Sequence, residues 1–129
     1  MADVVLITDA GIALLSKRIK GLGTEPRYIG WGTGTTLPTT TDTALETPVT
    51  QARALGVSSL EETSIVDDTY QVVGSLTCFG LGKTISEVGL FDAATDGTLL
   101  MRGTFDPPTV LDVGDMLSFT FVIPFERGV

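Results

Sequence analysis

Near the end of the chain, Leu117, Phe119, Phe121, Ile123 and Phe125 alternate with other residues without a break. A period of two over this length marks a strand with one face on a core, because successive strand side chains point to opposite faces. Tyr70, Val72, Leu76 and Cys78 repeat the pattern, with Gly74 in the gap. Further strand-like runs occupy residues 27–31, 51–58, 84–92 and 98–105, and the run around Tyr70 spans 69–79. Roughly seven or eight strands with regular turn signals predict a mainly β protein, an antiparallel β-sandwich of jelly-roll-like or Greek-key type. At 129 residues, 43% hydrophobic and 19% charged, the chain is expected to form one domain spanning residues 1–129 with a core of its own.

One segment departs from the pattern. Thr8 reads as the N-cap of a short helix over residues 9–20, with Ile7 and Ile12 in the two positions of a hydrophobic staple. Ile12, Leu15 and Ile19 share one helical face, predicted to pack on the sheet, while Lys17, Arg18 and Lys20 suit the negative end of the helix dipole. Gly21 and Gly23 supply the stop.

The run Thr-Ile-Ser-Glu-Val-Gly-Leu-Phe-Asp at residues 84–92 lies between two other strand-like runs and is expected to be the structural centre. Glu87 stands beside Val88, Leu90 and Phe91, so its carboxylate must reach water, a backbone donor or a cation. Gly89 suggests a bulge or the close approach of another backbone, and residues 92–97 form a glycine-ended turn into the next strand. Residues 32–43, rich in Gly, Thr and Pro, read as an irregular loop. Asp42 or Thr43 is placed to cap one helical turn through residues 44–46 that Pro48 would stop. Glu61-Glu62, Asp67-Asp68, Pro107-Pro108 and residues 113–115 read as breaks between strands.

Most chemistry is argued against by what is missing. A net charge of −8 disfavours nucleic acid and anionic membranes, which demand basic surfaces. There is no histidine and one cysteine, so histidine acid–base catalysis and intramolecular disulfides are excluded, and zinc loses its usual ligands. Cys78 has no histidine base and falls on the buried face of its strand, as a small core residue does. Gly82-Lys83-Thr84 resembles the end of a phosphate-binding loop, but the position that requires glycine is Thr77 and a strand follows, so a hairpin turn is expected. Gly30, Gly32 and Gly34 do not make a dinucleotide fingerprint. Asp92 and Asp96 have too few oxygen ligands between them for calcium. No catalytic, metal-binding or cofactor-binding residue is assigned, and the expected class is not an enzyme. Trp31 is either a cap on the core or a binding anchor. With the loop after it, it gives the partner-binding candidates Trp31, Thr33, Thr35, Thr36, Leu37 and Pro38. The N-terminus has no basic leader and no apolar run long enough to span a bilayer, so the protein is expected to be made in a cytoplasm.

Five stretches, Leu-Ile-Thr-Asp-Ala-Gly at 6–11, Tyr-Ile-Gly-Trp-Gly-Thr-Gly at 28–34, Asp-Thr-Ala-Leu-Glu at 42–46, Glu-Val-Gly-Leu-Phe-Asp at 87–92 and Val-Gly-Asp at 113–115, carry a family resemblance. In this order and spacing the chain resembles small structural proteins of tailed bacteriophages, and is similar in layout to the virion-attaching N-terminal domain of tail-collar fibres. A fibre would run on into a shaft and a receptor-binding tip, whereas this sequence stops at Val129 just past its last expected strand. The resemblance therefore implies a capsid decoration or cement protein, a homo-oligomer on the outer surface of the virion with the major capsid protein as partner. A tail, baseplate or collar adaptor on which fibres attach is the alternative, and a small carboxylate-based hydrolase the remote one.

Overall fold

A computed structural model of the chain describes residues 2–127. Among these, eight strands and one helix follow in the order β1 (Ala2–Ile7), α1 (Asp9–Ile19), β2 (Tyr28–Gly32), β3 (Ala54–Leu55), β4 (Val57–Glu61), β5 (Thr69–Thr77), β6 (Lys83–Phe91), β7 (Leu99–Leu111) and β8 (Met116–Pro124). All pairings are antiparallel, in a five-stranded sheet β1-β7-β6-β2-β3 and a three-stranded sheet β4-β5-β8. The two inner faces make a sandwich. Between them lie Ile29, Trp31, Val72, Ile85, Leu90 and Phe121, so the alternating faces of β5 and β8 point inward as their period requires. The helix is neither long nor apolar enough to cross a membrane.

β6 is the middle strand of the larger sheet, in keeping with the central place its sequence suggested. The loop after β2 covers the larger sheet's outer face, while α1 packs on β7 and sets Leu15 against the core between the sheets. Thr8 caps α1, accepting a 2.9 Å hydrogen bond from the Gly11 amide, and its hydroxyl donates to the Leu99 carbonyl at 2.6 Å. The buried helical face is Gly11 and Leu14, with Leu15 half-buried, while Ile12 is 59% exposed and Ile19 is exposed too. This corrects the predicted face and the staple. A Cβ on Gly11 would overlap the Leu100 carbonyl oxygen, so the helix turns its one side-chain-free position to β7, the closest approach available.

Four further expectations change. Residues 51–58 are not one strand: the chain passes from β3 in one sheet to β4 in the other at Gly56, whose amide donates to the Arg27 carbonyl at 2.7 Å. Residues 44–46 form no helical turn, because the amides of Glu46 and Thr47 are engaged by Glu87 instead. Pro107-Pro108 does not end β7. The β6–β7 ladder passes from Thr104 opposite Glu87 to Thr109 opposite Ile85, leaving the prolines in a bulge where no amide is asked to donate across to β6. Gly89 pairs in register with Gly30 and Arg102, and the groups crowding it are the side chains of Leu45 and Leu99 rather than a backbone.

Candidate interaction surface

At the register shift between Ile85 and Glu87, Ser86 alone stands opposite residues 105–108 of β7, and Ser86 and Glu87 both reach the loop on the outer face. Glu87 is 0% exposed. Its Oε1 accepts from Arg102 Nε at 3.0 Å and from the Glu46 amide at 2.8 Å. Its Oε2 accepts from the Gly34 and Thr47 amides, each at 2.8 Å. Four donors fill the capacity of a carboxylate, so the dry charge is fully compensated. Of the three outlets its sequence context allowed, Glu87 uses backbone donors and a cation.

Arg102 extends the network. Its Nη1 meets Asp42 Oδ2 at 3.1 Å and its Nη2 donates to the Thr36 carbonyl at 2.9 Å. Asp42 in turn accepts from the Thr39 amide and hydroxyl, both at 2.9 Å. Partial burial pushes the Asp42 carboxyl up, but the Thr39 bonds and the Arg102 guanidinium outweigh it and hold its pKa below the ordinary value. The exposed Glu46 carboxylate accepts from the Thr36 and Thr35 amides, with the same downward result. Ser86 Oγ donates to the Gly34 carbonyl at 2.8 Å, and the Asp9 amide, at the start of α1, donates to the Thr40 carbonyl at 2.8 Å. A Cβ on Gly34 would overlap Glu87 Oε2, so the amide reaches the carboxylate only because the residue is glycine.

The loop is thus pinned to β6, β7 and α1 by charged groups beneath it, and its upper side is free. Thr33, Thr35, Thr36 and Leu37 are exposed, as a contact surface requires. Trp31 and Pro38 are not. Trp31 is 1% exposed among the core side chains between the sheets and Pro38 is buried, so neither side chain is presented at the surface, and Trp31 is the core residue of its two readings. Its Nε1 has no hydrogen-bond partner among the described residues.

Arg102 escaped the sequence reading although a signal was there. It is the one charge in the apolar run Leu-Leu-Met-Arg-Gly at residues 99–103, on the strand paired with that of Glu87. A buried acid and a buried base in adjacent strands of a hairpin are placed to neutralise each other. A second apolar surface was also missed. The Cys78 amide donates to the Asp115 carbonyl at 2.7 Å and the Gly114 amide to the Cys78 carbonyl at 2.8 Å, so the β5–β6 and β7–β8 turns adjoin and expose Phe79, Leu81 and Val113.

The carboxylates considered for chemistry are engaged elsewhere. Asp92 accepts from the Thr98 amide at 2.6 Å. The Ala93 and Asp96 carbonyls receive Arg53 Nη1 at 2.7 and 2.8 Å, so a guanidinium engages the backbone oxygens of this turn. Asp68 accepts the amides of Thr63, Ser64 and Ile65, closing its turn. Among the described residues no group of three or more His, Cys, Asp or Glu is placed to hold a metal ion. No protein-family model, curated protein or solved structure matches the chain.

Proposed function

We propose that this protein is a structural component of a tailed-phage virion that binds the outside of the capsid and stabilises the particle. The observation that carries the reading is where its motif residues meet. Gly34, Asp42, Glu46 and Glu87 come from three separate stretches of sequence, and one carboxylate–guanidinium centre joins them. What that centre does is fix an exposed threonine-rich loop, which is the work of a contact surface. Glu87 is not placed as a general base: it has four donors and no exposure, and a general base must touch the proton it takes. The chain exposes 7441 Å², and a standard interface takes roughly 800 Å² from each partner, so one face is enough to hold a capsid.

The adaptor reading, in which the protein joins tail or collar parts, is favoured by one feature, the apolar patch of Phe79, Leu81 and Val113. An adaptor needs two contact surfaces, and contiguous exposed apolar groups mark such sites. Quantifying the protein per purified particle, with a cryo-EM map of the intact virion, separates the two. Copies on the scale of the major capsid protein, with density on the shell, support the capsid reading. Copies on the scale of the tail parts, with density only there, replace it with the adaptor.

A further inference from the structure

Sheet edges invite extra strands, and three of the four edges here are blunted: β1 carries Asp3, β3 has two residues, and β4 ends on Glu61. β8 is different. It has nine residues from Met116 to Pro124, none charged, pairs with β5 without a register shift, and among the described residues has no neighbour on its other side. The three-stranded sheet is also set off-centre. Gly74 and Gly56 bring β5 against the β2–β3 side of the larger sheet, while Phe119 of β8 packs on Phe105 of β7 with ring centroids 6.4 Å apart. β1 is left uncovered on its inner face, where Val5 is 54% exposed. The result is a groove of about 500 Å³ running along β8. Its floor is Val5, Gly103 and Phe105, its wall is β8, and its one charged lining residue is Asp3. Gly103 deepens it, since a side chain there would meet Val5.

We propose that this groove takes one extended segment of a partner protein as an added strand on β8. The segment is apolar at alternate positions, which face Val5 and Phe105, and carries a basic side chain opposite Asp3. The free amides and carbonyls of β8 demand hydrogen-bonding partners that an acyl chain lacks. A second copy docked edge to edge is also a poor fit. Two β8 strands paired about a two-fold axis would each drive an overhanging β1 into space that the other's β7 fills. A lone arm has nothing beneath it and fits. The site serves a capsid partner or a tail partner equally, so it stands apart from the choice between them.

The test uses the full chain and a blocked synthetic peptide of alternating valine and threonine with one lysine, matched in length to β8. Titration should show saturable binding, with the backbone amides of residues 117–122 gaining protection from hydrogen exchange. Val5→Glu and Val5→Trp change a half-exposed floor residue, one by charge and one by bulk. Each should weaken binding by roughly tenfold or more, and a peptide with proline at alternate positions should not bind. No peptide binding, binding without protection of β8, or full affinity in both Val5 variants would overturn the proposal. So would a free protein that is already a dimer with β8 protected, or an acyl chain isolated from the groove.

Discussion

Glu87 and Arg102 carry the largest single-residue consequence in the molecule. Removing one member of a buried ion pair leaves the other charged and dry, so Glu87→Leu or Arg102→Met should each cost about 3–5 kcal/mol in denaturant unfolding. Replacing such a pair with apolar residues is often neutral, but here it should not be. The Gly34, Glu46 and Thr47 amides lose their acceptor whenever Glu87 goes, and an orphaned buried donor costs about 1–3 kcal/mol. The double variant should therefore recover the part of the Glu87→Leu loss that comes from the stranded guanidinium and still fall short of the parent, and recovery to parental stability would show that the carboxylate does not anchor the loop. Acid acts on the same loop through Asp42, and on the turn before β5 through Asp68, where the Ile65, Ser64 and Thr63 amides override the effect of burial and hold the carboxyl far below its ordinary value. Both folded-state values lie below the unfolded 3.8. Their contribution is thus fully present above that value and is lost as pH falls through the lower folded values. Stability measured against pH should drop on the acid side of about pH 4, and Asp42→Asn or Asp68→Asn should be weaker at neutral pH but flatter in acid.

Among the elements, β8 separates two kinds of aromatic position. Phe121 is 5% exposed in the core, whereas Phe119 is half-buried along the open groove. Phe121→Ala should cost about 3–5 kcal/mol and Phe119→Ala clearly less; equal losses would mean that the groove is closed in solution. Gly11→Ala should lift α1 from β7 and lower the melting temperature, because the added methyl meets backbone rather than a side chain that can swing away. These elements also show where sequence is informative. β5 and β8 were legible because one buried face imposes period two, and Thr8 because capping is local. The face of α1 was not legible: Ile12 has the better hydrophobicity, but the choice belongs to Gly11 and its contact with Leu100, residues far apart in the chain. Residues 51–58 look like one strand because their composition does not record that Gly56 changes sheets. Within the site, Glu87 could be read as needing a partner, but the amides it captures from residues 34, 46 and 47 depend on loop geometry that no local pattern encodes.

For the whole molecule, the charge of −8 should speed encounter with a basic capsid surface and slow it as salt is added. Once docked, the exposed side of the pinned loop should hold the complex. Deleting Trp31 is no test of this, since a core tryptophan replaced by alanine costs about 3–5 kcal/mol of fold stability. Thr35→Lys with Leu37→Asp alters the surface and leaves the network below it untouched. The decisive measurement is a melting assay on virions stripped of this protein and then reconstituted with purified parent or with that double variant. Depleted particles should open at lower temperature, the parent should restore the original transition, and the folded double variant should restore it poorly. Depleted and intact particles that melt alike would contradict the account.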